Sequence, residues 1–277
     1  MTYATVMVSL ALDQPDNGRL QVAGELAERF EAAIVGVTAA QFAPPLYFAD
    51  GAKAQGLIDP EHASIRKRLA DLEAQFHAAT RARGGHAQWR STMDFPTRFV
   101  LAQVRCADIV VSGGHSPAFS NAFSLASPKD LVMQAGRPLL VVPERVNWLD
   151  LRSVLVARKD TPEARRAMAD ALPMLRKARD VVVVEIPERD DDRPAVMDRV
   201  SDVAVWLARH GVTATARVPE AAGNETAALQ LETIAGDIGA GLIVAGAYGH
   251  SHFRELILAA VTRYLVTQSA RRGLLSH

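Results

Sequence analysis

The stretch LIVAGAYGHS at residues 242–251 decides the fold class of this chain. Its first four residues, Leu242–Ala245, form an apolar run of strand length, and Gly246 and Gly249 follow directly. A buried strand that ends in a glycine-bearing turn is typical of the parallel sheet of an α/β protein. Glycine has no Cβ, so it permits a tight turn and lets a phosphate group approach backbone N–H groups. The stretch therefore predicts a parallel sheet with a candidate phosphate site at its carboxyl edge.

The pattern extends outward through the whole second half of the chain. Apolar runs of strand length alternate there with amphipathic segments of helix length, as expected for a parallel sheet covered by helices. The predicted strands are Val154–Ala157, Val181–Ile186, Thr213–Val218, Leu242–Ala245 and Gly273–Ser276. The predicted helices run from the Thr161-Pro162 cap to about Ala178, and over Arg193–His210, Glu225–Ile238 and Leu256–Thr267.

The first half shows the same order of elements. Its predicted strands are Val6–Leu12, Ala33–Thr38, His86–Ser91, Asp108–Val111 and Leu139–Val142. Its predicted helices are Gln21–Phe30, Pro60 to about Arg83, Pro96–Cys106, and one that begins at the Ser127-Pro128 cap and ends at Gly136. Residues 39–59 read as a loose connection. The fold class is therefore α/β, with two tandem doubly wound five-stranded parallel sheets of Rossmann-like type, in domains 1–145 and 152–277.

Composition restricts the partners of the protein. Lys+Arg and Asp+Glu are equal at 31 each, so no global field favours nucleic acid or an anionic membrane. The single cysteine, Cys106, excludes an internal disulfide and is predicted to be a buried structural thiol. The N-terminus resembles neither a signal peptide nor a membrane span, and no other apolar run is long enough to span a membrane. We expect a cytoplasmic protein with no nucleic-acid or membrane partner.

The second half resembles the universal stress proteins. Gly246 and Gly249 occupy the first two glycines of the family pattern G-x2-G-x9-G-[S/T], and Val154–Ala157 with Thr161–Ala164 resembles the family's first strand and helix. The resemblance implies the adenine nucleotide alpha hydrolase-like version of the fold. It also implies an adenine nucleotide, ATP or AMP, between the first and fourth strands, and no metal beyond Mg²⁺ carried by that nucleotide.

The second half also departs from the family pattern. The third glycine and its Ser/Thr neighbour fall on Ala259 and Ala260, so a hydroxyl contact to phosphate is missing, although backbone N–H groups remain. The first strand of the family usually ends in an aspartate, whereas Arg158 and Lys159 stand here. Both cations could neutralise phosphate or could be solvated loop charges. The nucleotide site implied by the resemblance comprises Ala157, Arg158, Lys159, Gly246, Gly249, His250, Ala259 and Ala260.

The first half lacks the phosphate-loop pattern. Gly113-Gly114-His115-Ser116 follows its fourth strand, but no second glycine stands at the family spacing. Ser127-Pro128-Lys129 takes the place of the Gly-[S/T] step, and Pro128 removes a backbone donor. Asp13, after the first strand, reads as a turn residue rather than a ribose ligand. This half is predicted to be a structural partner without a ligand site.

The other residue patterns indicate neither a metal site nor a catalytic site. His250, His252 and His115 lack the spacing of a structural zinc site, and Ser251 lacks the nucleophile elbow. The acidic run 188–192 reads as a solvated loop, and Trp89, Trp148 and Trp206 read as packing residues. Three functions remain: a non-enzymatic stress or regulatory protein that binds an adenine nucleotide, a ligand-free interaction protein of the same fold, and a weak nucleotide hydrolase. The last has no evident general base, so we expect no enzyme and no catalytic residue.

The fifth strand of each half is predicted to lie at a sheet edge. Pro138–Val142 and Gly273–Ser276 are short and apolar, and an open edge of this kind favours pairing with another strand. Single-domain members of the resembled family commonly dimerise through this edge. We expect the two strands to pair antiparallel within the chain, as an intramolecular pseudo-dimer, or with the equivalent strand of a second chain in a homodimer.

Overall fold

A computed structural model describes most of the chain. The described residues are 2–12, 14, 16–43, 51–81, 83, 86–114, 121–187, 192–220, 225–247 and 255–277. For residues 51–55, 57 and 255–259 the description covers the backbone.

The first half alternates strands and helices in the predicted order. Its strands are β1 (Thr5–Ser9), β2 (Ala33–Ala39), β3 (Ala87–Thr92), β4 (Ile109–Gly113) and β5 (Leu139–Val142). Its helices are α1 (Asn17–Phe30), α2 (Gly51–Arg81), α3 (Pro96–Gln103) and α4 (Pro128–Gln134), and a 3₁₀ turn at Val104–Cys106 follows α3.

The second half repeats this order. Its strands are β6 (Ser153–Ala157), β7 (Asp180–Val184), β8 (Ala214–Arg217), β9 (Leu242–Gly246) and β10 (Arg272–Ser276). Its helices are α5 (Pro162–Leu175), α6 (Arg193–Arg209), α7 (Ala227–Asp237) and α8 (Glu255–Thr267).

The strands form one sheet in the order β3-β2-β1-β4-β5-β10-β9-β6-β7-β8. Within each half the neighbouring strands are parallel, and the first strand lies between the second and the fourth. Each half thus contributes a doubly wound five-stranded parallel unit to one ten-stranded sheet, and the predicted α/β fold class is confirmed. The division into domains 1–145 and 152–277 stays a prediction.

The two halves meet at their fifth strands. β5 and β10 pair antiparallel, with Leu274 opposite Leu140 and Leu275 opposite Leu139. All four leucine side chains are fully buried. The predicted antiparallel pairing within the chain is confirmed, because the edge that each half would otherwise expose is covered by the other. A homodimer stays a prediction.

Two apolar layers sandwich the sheet. On one face, α1, α2, α5 and α6 pack on alternate residues of the strands, and Val8, Val156 and Leu274 belong to this layer. On the other face, α3, α4, α7 and α8 cover the intervening residues, which include Met7, Leu155 and Leu275. Both layers run across the β5–β10 contact, so the halves share their core.

Several helix ends follow from the sequence. The side chain of Ser127 accepts a hydrogen bond from the Asp130 N–H, and Thr161 does the same for Ala164. Both caps were predicted from the Ser-Pro and Thr-Pro pairs. The start of α2 was predicted wrongly at Pro60, because the helix begins at Gly51 and contains the proline. Ala52, Lys53, Ala54, Gln55 and Leu57 favour a helix before Pro60 and extend it despite Gly51 and Gly56, at the loss of one backbone hydrogen bond.

Two packing predictions are also corrected. Cys106 is exposed, not buried, because α3 ends at Gln103 and the 3₁₀ turn that follows buries Val104 instead. Trp148 is 46% exposed. Its ring stacks against the guanidinium groups of Arg152 and Arg272, at 5.2 and 5.5 Å from the ring centroid. Trp89 and Trp206 are partly buried against the core, as expected.

Candidate functional site

The candidate site lies at the carboxyl ends of β6 and β9. These strands are parallel neighbours with Ala157 in register with Ala245, so both chains leave the sheet at the same edge. Crevices of this kind, beside the first strand of a doubly wound sheet, are where such folds bind ligands. The described residues bring Ala157, Arg158, Lys159 and Gly246 to this edge.

Gly246 ends β9 where the first turn of α5 packs directly against it. A Cβ at this position would lie 2.5 Å from the Ala164 backbone nitrogen and 2.7 Å from the Glu163 carbonyl carbon. Atoms of a helix backbone cannot move aside, so the position requires glycine. The structure therefore assigns Gly246 a packing role that exists without any ligand.

Arg158 is held in a buried ionic network on the β7 side of β6. Its guanidinium pairs with the Glu185 carboxylate, and both side chains are less than a tenth exposed. The second oxygen of Glu185 accepts a hydrogen bond of 2.9 Å from Arg199 of α6. Arg158 also lies 3.3 Å from Asp160. The positive charge predicted for a phosphate is thus neutralised by protein carboxylates.

Glu185 and Arg199 were not foreseen from the sequence. The available signal was a carboxylate inside the predicted strand Val181–Ile186, since a charged residue at a buried strand end needs a partner. β7 ends at Val184, and Glu185 is buried just beyond it. The partner is Arg158 of the neighbouring strand, so the pair joins the first two strand ends of the second half.

The structure describes three of the five remaining predicted residues. Lys159 is half-buried, and its backbone oxygen accepts a hydrogen bond of 2.9 Å from the Thr161 N–H. Ala259 and Ala260 lie within α8, and the Ala260 side chain is half-buried. Gly249 and His250 lie outside the described residues.

The first half carries the corresponding crevice between β1 and β4, and its own side chains fill it. Arg19 of α1 is buried, and its guanidinium occupies the space that a Cβ on Gly113 would need. That guanidinium donates hydrogen bonds of 2.9 Å to the Ser9 carbonyl and to the Gln14 side chain. It also pairs with Asp16 at 2.7 Å.

Asp16 completes this internal plug. Its carboxylate accepts a hydrogen bond of 3.1 Å from the Ala11 N–H, which ties the end of the first strand segment to the start of α1. Burial raises the pKa of Asp16, while Arg19 and the Ala11 N–H act in the opposite direction. That the first half lacks a ligand site stays a prediction. Asp13, His115 and Ser116 lie outside the described residues.

The described part of the chain holds no group of three His, Cys, Asp or Glu side chains that could bind a metal ion. Of the residues weighed for metal binding or catalysis, His250, Ser251, His252 and the acidic run 188–191 lie outside it. Among the described helices, none is long and apolar enough to cross a membrane.

Comparison with known proteins gives a structural relationship. No family model and no curated protein matches the sequence. A universal stress protein from Archaeoglobus fulgidus DSM 4304 matches with a TM-score of 0.72 and 14% identity, over 98% of this chain and 95% of that one. The chain has the fold of a tandem universal stress protein. At this identity the similarity concerns the fold.

Two further structures agree with this fold. A protein of unknown function from Pseudomonas aeruginosa PAO1 matches with a TM-score of 0.62 and 13% identity, over 99% of this chain and 92% of that one. A protein from Pseudomonas aeruginosa UCBPP-PA14, assigned to the universal stress proteins, matches with a TM-score of 0.56 and 14% identity, over 99% and 93%. The tandem universal stress protein fold therefore spans the full chain.

Proposed function

We propose that the protein is a non-enzymatic stress-response or regulatory protein whose second half binds an adenine nucleotide, ATP or AMP. The observation that carries the proposal is the difference between the two crevices. The first is filled by Arg19 and Asp16, which are both buried. The second has Gly246 at the end of its fourth strand and the cations Arg158 and Lys159 after the end of its first strand.

The position of the second crevice supports an anionic ligand, although its arginines already have carboxylate partners. Arg158 and Arg199 both contact Glu185, and Arg158 also lies 3.3 Å from Asp160. The phosphates would lie beyond Gly246, at the carboxyl edge that β6 and β9 share. Ala259 and Ala260 lie inside α8, where their N–H groups make helical hydrogen bonds, and neither side chain has a hydroxyl, so we expect weaker binding than in members with Gly-Ser.

The test is calorimetric titration with ATP and AMP, together with intact-complex mass spectrometry of the purified protein. Gly249→Val places a branched side chain where phosphate must approach the backbone, and it should abolish binding. The double variant Ala259→Gly/Ala260→Ser should strengthen binding. Lys129→Ala changes an exposed residue at the corresponding place in the first half and should leave the affinity unchanged.

Equal binding by the wild type and Gly249→Val would contradict the location of the site. If neither binds nucleotide, the ligand-free interaction protein is the better description. One observation favours this second candidate: Arg158 is 9% exposed and already paired with Glu185, so the site is complete without an added phosphate. Phosphate release from ATP above the Gly249→Val background would instead support the weak hydrolase.

A further inference from the structure

The ten-stranded sheet has two open edges, and they differ in how well they are protected. One edge is β8, which has four residues, ends at Arg217 and is closely followed by Pro219. Short length, a charged residue and a nearby proline are features that keep an edge strand from pairing with another chain. The other edge is β3, which has six residues and no proline. The structure thus leaves β3 as the edge that a further strand can extend.

The outward backbone groups of β3 belong to alternate residues. The Thr92 carbonyl accepts a hydrogen bond from the Ala40 N–H, and bonds to a parallel neighbour involve every second residue, so the even-numbered residues of β3 bond to β2. The backbone N–H and C=O groups that point away from β2 are those of Ala87, Trp89 and Ser91. Among the residues that the structure describes, none supplies a hydrogen-bond partner to these groups.

The larger side chains of β3 are held by their own chain. The Trp89 indole packs on Phe76, with the ring centroids 5.3 Å apart. On the other face of the sheet, Arg90 donates hydrogen bonds to the side-chain oxygens of Gln103 at 2.9 Å and Gln88 at 3.1 Å. The charged residue of this strand is therefore bound along its own surface, and its charge does not guard the edge in the way that a free lysine would.

The sequence of β3 is complementary to itself in one antiparallel register. When Trp89 stands opposite Trp89 of a second copy, Ala87 stands opposite Ser91, so the outward backbone groups of all three residues find partners. In the same register Gln88 lies opposite Arg90 of the other copy, and their side chains share a face of the sheet. Arg90 thus meets across the interface the same amide acceptor that it contacts within its own strand.

We propose that two copies of the chain pair through β3 in this antiparallel register, around a twofold axis perpendicular to the sheet. Both copies use the same surface, so the contact closes as a dimer. Pairing continues the sheet across the interface by main-chain hydrogen bonds and covers the part-exposed indole of Trp89. This contact is separate from the β5–β10 pairing, which each chain makes within itself.

Sedimentation equilibrium and light scattering over a range of protein concentrations test the proposal. We expect the wild type to approach twice the mass of one chain. Ser91→Pro removes an outward N–H and no bond to β2, and proline is tolerated in an edge strand where its N–H would face solvent. The dimer loses this hydrogen bond twice, so its dissociation constant should rise about tenfold or more. Ser91→Ala keeps the backbone N–H and should dimerise like the wild type.

A charge placed on β3 tests the same register through the side chains. Gln88→Lys puts a cation opposite Arg90 of the other copy and should also weaken the dimer, and because Gln88 is exposed the fold should be kept. Thr215→Lys changes an exposed residue of β8 and is the charge-matched control, which should dimerise like the wild type. Adding Arg90→Glu to Gln88→Lys places opposite charges across the interface and should recover the dimer.

The proposal is overturned by a wild type that stays monomeric at its highest soluble concentration. A dimer that both Ser91→Pro and Gln88→Lys leave intact would also overturn it, since the copies would then meet elsewhere. Assemblies larger than a dimer that Thr215→Lys disrupts as well would show instead that β3 pairs with β8 of the next copy. Circular dichroism confirms that each variant is folded.

Discussion

The crevices of the two halves share one backbone plan and are filled in different ways. Gly113 and Gly246 both end the fourth strand of their half. In the first half, the flexible end of the Arg19 side chain occupies the space beside the glycine, whereas in the second half the backbone of α5 does so. A glycine at this position therefore indicates close approach of another group. It does not by itself indicate a ligand.

The arginines of the two crevices differ in their position relative to the fourth strand. Arg19 lies against the fourth strand of its half, so it closes the space in which a ligand would lie. Arg158 pairs with Glu185 on the opposite side of β6, next to β7. In the second half the arginine therefore lies away from the fourth strand, where the α5 backbone packs on Gly246 instead, and this difference is why we propose nucleotide binding for that half alone.

The largest expected effect comes from removing these arginines. Arg19→Ala leaves the carboxylate of Asp16, whose side chain is 2% exposed, without its cation. Breaking a buried pair in this way destabilises proteins by about 3–5 kcal/mol. Arg158→Ala should cost less, since Glu185 keeps its contact with Arg199. The free energies of unfolding from urea titrations test this order.

Arg165→Ala is the control for this comparison. Arg165 is 58% exposed and pairs with Asp160, so its removal should change stability little.

The pKa of Asp16 is already raised by burial. Because a raised pKa means that the folded state binds the proton more tightly, the deficit of Arg19→Ala should shrink as the pH falls. Equal losses for Arg19→Ala and Arg158→Ala would show that the two arginines have equivalent roles.

A smaller effect is expected at the two glycines. Gly246→Ala forces a Cβ against the backbone of Ala164, 2.5 Å away, and overpacking of this kind costs about 1–3 kcal/mol. Gly113→Ala conflicts with the Arg19 guanidinium, so its cost should fall when Arg19→Ala is also present. A double-mutant cycle measures this coupling. Arg19→Ala should not rescue Gly246→Ala, and absence of coupling at Gly113 would contradict the described packing.

The sequence predicted the elements better than their contacts. Strand runs, helix spacing and the Ser127 and Thr161 caps are local signals, so the strand order of each half and the β5–β10 pairing followed from them. The plug at Arg19 depends on contact with Gly113, which is distant along the chain. Glu185 likewise finds Arg158 through strand order. Such pairs become visible only once the sheet is assembled.

Two errors have a local cause. Pro60 is a frequent first residue of a helix, but it does not prevent a helix from starting earlier when the preceding residues favour it. Cys106 follows a helical apolar pattern, yet the change to a 3₁₀ turn rotates it to the surface. The strand ends predicted that Ala157 and Gly246 lie at one edge of the sheet, while the neutralisation of Arg158 was not predicted. That this edge binds a nucleotide stays a prediction.

The halves also differ at the amino ends of their strands. In the first half, the Asp108 carboxylate accepts hydrogen bonds of 2.8 and 2.9 Å from the N–H groups of Ala4 and Thr5. In the second half, Asp150 stands in the segment before β6 and packs against Gly241 at the start of β9. Its carboxylate pairs with the Arg152 side chain, whereas the Asp108 carboxylate accepts hydrogen bonds from the backbone at the start of β1.

Asp150→Asn should have the smallest effect and a distinctive pH dependence. Asp150 accepts hydrogen bonds from the Arg152 side chain at 2.9 and 3.1 Å, and these lower its pKa below the ordinary value of 3.8, against the effect of burial. A carboxylate whose pKa is lower in the folded than in the unfolded state stabilises the protein at pH values above its unfolded-state pKa. This stabilisation is lost as the pH falls through the folded-state pKa. At pH 7 the free energy of unfolding of the variant should therefore be lower than that of the wild type, by a smaller amount than in Gly246→Ala. In strong acid the variant and the wild type should be equally stable. Asp202→Asn on the exposed surface of α6 is the control.

Since Arg152 is 68% exposed, added salt should reduce the difference in stability between the wild type and Asp150→Asn at pH 7. A difference that does not depend on salt would indicate packing against Gly241 as its cause.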